Sequence, residues 1–167
     1  AVENDEAEQA PATTGGSTAL ADSYPYENAQ IVQNLVDAGA IILAKANMDI
    51  FALDASISAS DYGTVRNAYD LSCTAYGSSG GSAVAAALSL CTAAVGTDTN
   101  SSARLPAAAN GLVSLRPTLG LLSADGILPY DHERDTAAPI ARSVEDCAAL
   151  LGVLAGSGTD YTAALAS

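Results

Sequence analysis

Residues 76–83 read "YGSSGGSA", three glycines and three serines in eight positions, and the run "VAAALSL" follows at once. Glycines open backbone shapes closed to other residues and let a second segment or a ligand come close. The Ala- and Leu-rich run reads as a helix, so its first N–H groups are aimed at the same small space. A tight turn feeding a helix N-terminus therefore fixes one element of the fold and offers an anion or oxyanion site. By itself it is equally readable as an ordinary Gly/Ser turn. A second stretch, "VGTDTNSSARLPA" from Val95 to Ala107, is too polar for a core and too orderly for a linker. It leaves a short apolar strand, "TAAVGTDT".

Other segments supply the layers around these two. "ENAQIVQNLVDAGA" places Ile31, Leu35 and Ala38 at helical spacing, with Val32 and Val36 beside them, and Gly39 closes the helix. "AIILAKA" follows immediately and reads as a short buried strand. A helix ending in Gly and running into a strand implies an α/β layer. Residues 52–77 are loop-like. "PAAANGLVSLRPTLGLLS" mixes a short helix, a glycine and a strand-like segment. In "SVEDCAALLGVLAG" Ser143 stands at the N-cap with Asp146 three residues on, and Ala149, Leu150, Val153 and Leu154 are expected on one helix face. Residues 1–12, "AVENDEAEQAPA", form an acidic N-terminal segment, and 13–167 read as one core domain.

Net charge is −13 over 167 residues, which excludes nucleic acid and anionic membrane as expected partners and suits a solvated acidic surface. Lys45 is the only lysine, and His132 the only histidine. Cys73, Cys91 and Cys147 are odd in number and far apart, so they read as small buried thiols rather than a metal set, and no metal or cofactor is expected. No apolar run reaches the ~18 residues of a membrane span, and no signal peptide is visible. The compartment stays open.

Taken together, the two Gly/Ser stretches closely resemble the core of the amidase signature family, whose pattern runs roughly GGSSGGSA…GTDTGGSIRxPA. The likeness extends outward in order. "TTGGSTAL" resembles PTTAGSxAL, "AGAIILAKANMDIFAL" resembles GAxxxGKTNMDEFA, and "GTVRNAYDLS" resembles GPVRNPWD. "GLVSLRPTLGLLSADGILP" and "DTAAPIARSVEDCAALLGVLAG" resemble the family's GxxGLKPTxGRVSxxGxxP and DTxGPMARTVEDAAxLLxxxAG. The resemblance covers the chain from Thr13 to Gly156 and implies a mixed, largely parallel α/β sheet covered by helices, truncated relative to the family.

It also implies a serine–serine–lysine triad acting on linear amides without a cofactor. Ser102 matches the nucleophile and Ser78, 24 residues earlier, the bridging serine, with a cis bond expected after Gly77. The backbone N–H groups of Thr99, Asn100, Ser101 and Ser102 match the oxyanion hole. Gly77, Ser79, Asp98 and Arg104 are expected to brace the two turns, Asp98 and Arg104 through charge-assisted hydrogen bonds. The chain departs from the pattern in two places. Asn100-Ser101 replaces the Gly-Gly before the nucleophile, adding bulk at the substrate approach and completing a formal glycosylation sequon. Counting back from Thr13, Glu3 occupies the position of the catalytic lysine, and a carboxylate offers neither its donors nor its positive charge. Lys45 falls in the GKTN segment, which is not that position.

Two functions follow from different classes. One is an amidase-like hydrolase of carbon–nitrogen bonds, or a piece of one, whose substrate is a small-molecule amide. The other is an inactive amidase-like domain with a structural or self-assembly role. In either case the truncated sheet should leave edges uncovered, so a homo-oligomer or a partner segment is expected.

Overall fold

The computed structural model describes residues 11–166. A helical turn at Thr18–Leu20 leads to α1 (Gln30–Asp37), and a second turn spans Ile50–Ala52. Then come a minimal hairpin, β1 (Ala59–Ser60) with β2 (Gly63–Thr64), and α2 (Gly80–Ala87). The chain continues through β3 (Ala94–Asp98), α3 (Arg104–Ala109), β4 (Val113–Ser114), β5 (Thr136–Ala141) and α4 (Val144–Ala155), and finishes in a 3-10 helix at Tyr161–Ala166.

The main sheet has the order β3-β5-β4. Every residue of the central strand β5 is buried. Its alternating side chains serve two cores. Ala137 joins Ala29, Ile31, Leu122, Leu151 and Leu154, where α1 and α4 pack on one face. Ala138 and Ile140 join Ala103 and Ala107 on the other, beside α3. Burial on both faces explains why the strand carries no polar alternation. The result is the expected α/β class, helices on both sides of a sheet. The strand direction is a correction: β3–β5 and β4–β5 both pair antiparallel, so the described sheet is not largely parallel.

Three further expectations are corrected. "AIILAKA" forms no strand, and Ile41 and Leu43 are 84% and 67% exposed. A strand needs a neighbour to take its N–H and C=O groups, and no described strand runs beside this one. The buried positions of α4 are Cys147, Leu151 and Leu154, a face rotated from the one read off the sequence. Of the cysteines only Cys147 is buried; Cys73 is exposed and Cys91 intermediate, and all three are free. Ser143 and Gly39 cap as expected: Ser143 accepts a hydrogen bond from the Asp146 N–H at 3.0 Å, and Gly39 ends α1 with φ of +84°. Gly156 likewise ends α4, with φ of +62°.

Candidate active site

Strand β3 and helix α2 run side by side, and this delivers the two Gly/Ser turns to one place. Ser79 and Ser82 clasp the outer edge of β3. The Ser79 hydroxyl accepts from Thr97 N–H at 3.1 Å, and the Ser82 hydroxyl donates to Val95 C=O at 2.9 Å. These bonds satisfy backbone groups that a third strand would otherwise take. They also require Gly96, since a Cβ there would lie 2.6 Å from Ser79 Oγ. The turns themselves are joined where Ser79 N–H donates to Ser102 C=O at 3.0 Å.

Backbone packing around the first turn is close. A Cβ on Gly77 would sit 2.0 Å from the Ile57 carbonyl oxygen, so only glycine fits before Ser78. The Gly77–Ser78 peptide bond is cis. The Ser78 carbonyl accepts from Asp49 N–H at 2.9 Å. Its hydroxyl, in a residue that is 0% exposed, has no hydrogen-bond partner among the described residues. Ser102 is 8% exposed. No hydrogen bond joins the Ser78 hydroxyl to that of Ser102. The backbone holds the residues on adjoining turns, while Ser78 Oγ is left with spare donor and acceptor capacity. The group expected to complete the relay, Glu3, lies with the rest of residues 1–10 outside the described residues.

The second turn is braced by a buried carboxylate. Asp98 is 0% exposed and accepts from the N–H groups of Ala103 and Arg104, each at 3.2 Å. The Arg104 guanidinium grips it through Nε and Nη2, both at 3.1 Å, and Arg116 Nη1 approaches at 3.3 Å. Burial alone would push the Asp98 carboxyl up. The Arg104 side-chain bonds and the two N–H groups outweigh it and hold the carboxyl below the usual carboxylate range. Arg104 also donates to the Asn100 carbonyl, and Arg134 Nη1 to Asn100 Oδ1 at 3.3 Å.

Asn100 and Ser101 do not strain the turn. The non-glycine residues with positive φ among the described ones are Phe51, Ala52, Tyr76 and Ser89, so the family's glycines are not needed here for φ. No hydrogen bond from the N–H groups of Asn100, Ser101 or Ser102 is made to another described residue. The Thr99 hydroxyl bonds the Asp135 carboxylate, whose other oxygen accepts from Tyr130 and Asp131 N–H at 2.6 and 2.8 Å.

Sequence reasoning missed Arg116, Arg134 and Asp135, each more than ten residues from the turn it supports. The signal for Arg116 was the cation of the "LRPT" segment. Lys45 donates to Pro11 C=O and Thr13 Oγ1, both at 2.5 Å, and burial lowers its pKa. No metal-binding group of His, Cys, Asp and Glu occurs among the described residues. A cleft of about 680 Å³ between α1, α4 and the last helix includes Asn34, Val153 and Tyr161 in its lining and none of the predicted site residues.

The amidase family's sequence profile matches residues 9–166. The chain belongs to the amidase family. It is 44% identical over 167 aligned residues to a glutamyl-tRNA(Gln) amidotransferase subunit of Oleidesulfovibrio alaskensis, covering 93% of this chain and 34% of that protein. The corresponding protein of Halorhodospira halophila is 48% identical over 145 residues, covering 87% and 30%. Among solved structures, native peptide amidase from Stenotrophomonas maltophilia superposes with a TM-score of 0.82 at 44% identity, covering 91% of this chain and 32% of that one. The glutamyl-tRNA(Gln) amidotransferase subunit of Thermotoga maritima gives 0.83 at 35% identity, covering 86% and 32%. This amidase sequence thus spans about a third of the length of the relatives it matches. Its fold is that of the family, truncated.

Proposed function

We propose that the chain is the nucleophile-bearing core of an amidase that cleaves carbon–nitrogen bonds of a small-molecule amide through a serine acyl-enzyme. Ser102 Oγ attacks the carboxamide carbon, and the N–H groups of residues 99–102 take up the charge on the carbonyl oxygen. Ser78 passes the proton to the leaving nitrogen as the C–N bond breaks and the Ser102 ester forms. Water then attacks the ester, releases the acid and restores the Ser102 hydroxyl. The supporting observation is the Ser79–Ser102 backbone bond, which seats the two serines on adjoining turns with the Ser78 hydroxyl buried and unpartnered among the described residues. A buried hydroxyl with no partner is the arrangement a proton relay needs before its other members arrive.

Counting back from Thr13 puts Glu3, which precedes the matched residues 9–166, at the position of the base, and a carboxylate is a weak base for a serine hydroxyl. We therefore expect little or no turnover from this chain. Incubation with aryl amides and a serine-directed fluorophosphonate, read by mass spectrometry, tests the assignment. Slow labelling confined to Ser102, lost in Ser102→Ala and raised in Glu3→Lys, is the expected result. Labelling elsewhere, or none in Glu3→Lys, would overturn it.

A second reading is favoured by the exposed Ile41 and Leu43. It is an inactive amidase-like domain that associates with a second copy or a partner polypeptide. Two of the relatives are by name subunits of an amidotransferase, which accords with work inside a larger assembly.

A further inference from the structure

Ser58, immediately before β1, plays no part in the chemistry above, yet it is entirely buried against the Ser78 turn. Its Oγ lies 2.9 Å from the Tyr76 carbonyl and 3.0 Å from the Ser78 carbonyl, and it accepts from Gly80 N–H at 3.0 Å. One hydroxyl thus contacts the backbone on both sides of Ser78. It has a single hydrogen to share between two carbonyls, and the Ser78 carbonyl has a second donor in Asp49 N–H at 2.9 Å.

The hydroxyl is in turn held rigidly. The Ser58 carbonyl accepts from Val65 N–H at 2.8 Å. The next N–H, that of Ala59, donates to the buried Asp49 carboxylate at 3.2 Å, and the Asp49 backbone donates to the Ser78 carbonyl. A Cβ on Gly80 would lie 2.4 Å from Ser58 Oγ, so the helix start is shaped around this side chain. By contrast, the Ser78 side chain has no hydrogen bond of its own among the described residues. No hydrogen bond among the described residues fixes its direction apart from the backbone that carries it.

We infer that Ser58 is a positioning residue that fixes the Tyr76–Gly80 backbone and thereby the direction of the Ser78 hydroxyl. The inference rests on the reading of Ser78 as the bridging serine. A purely structural hydroxyl would support the loop without governing Ser78. The neighbouring Ser82 is a suitable control, since its hydroxyl makes an equivalent bond from α2 to Val95 C=O but does not touch the Ser78 turn.

The test uses the full chain, isotope-labelled, as native protein, Ser58→Ala, Ser58→Cys and Ser82→Ala. The Hα–Hβ couplings of Ser78 report its rotamer, amide exchange reports Gly80, and fluorophosphonate kinetics report Ser102. Ser58→Ala should average the Ser78 couplings and speed Gly80 exchange about tenfold, the scale of one lost buried hydrogen bond. It should lower the maximal labelling rate with little change in the inhibitor's apparent affinity. Ser82→Ala should leave the Ser78 couplings unchanged. Unaltered Ser78 couplings in Ser58→Ala, or equal changes in Ser82→Ala, would overturn the inference. If Ser58→Ala does not fold, the near-isosteric Ser58→Cys, a weak donor, carries the same comparison. If even the native chain and Glu3→Lys are not labelled, the hydrolase reading fails, and the couplings alone decide the role of Ser58.

Discussion

At the scale of single residues, the nucleophile turn is organised by one buried carboxylate. Asp98 gathers two backbone N–H groups and two guanidinium groups, so its removal would leave several donors without an acceptor. Asp98→Ala should cost about 2 kcal/mol, measured by urea denaturation, because the Ala103 and Arg104 N–H groups lose their acceptor. The pH dependence has a definite sign. The folded pKa of Asp98 lies below its unfolded value of ~3.9, so the group stabilises the fold above that pH. The stabilisation is lost as pH falls through the lowered folded value. Denaturation midpoints should therefore drop as the solution is acidified below about pH 4, and the drop should shrink in Asp98→Asn. Exposed carboxylates such as Asp70 also have lowered pKa values, but water screens them.

At the scale of elements, local signals and long-range pairing part company. Helix α4 begins where Ser143 says it should, since a hydroxyl acceptor at the N-cap is a property of neighbours along the chain. Ser143→Ala should cost about 1 kcal/mol of stability in denaturant and speed exchange of the Asp146 amide. Strand β5 gives the opposite case. "TAAPIA" has few β-branched residues and a proline, which argue against a central strand. The strand forms because both faces are covered and because β4 pairs only with Ile140 and Ala141, leaving Pro139 opposite β3 alone. "AIILAKA" errs the other way: its composition suits a buried strand, and the described fold gives it no partner.

At the scale of the whole molecule, the exposed "AIILAKA" segment dominates the expected behaviour. A segment without a strand partner among the described residues, bearing the exposed Ile41 and Leu43, is a template for association. Sedimentation velocity at micromolar concentration should show species larger than the monomer. The double substitution Ile41→Lys with Leu43→Lys should shift the population toward monomer. A native chain that stays monomeric would count against an assembly role.

The amino-acid sequence by itself determined the family, the helices with their caps, and the two serine turns, because each is carried by residues close together along the chain. Gly77, Gly96, Ser78 and Ser102 were legible as a pattern for that reason. Only the tertiary structure decided strand direction, the burial of β5, the fate of residues 40–46, and the supporting shell of Ser58, Asp49, Arg116, Arg134 and Asp135. Each of these depends on which distant segment lies alongside, and a serine or arginine has the same local appearance whether it meets water or a buried carbonyl.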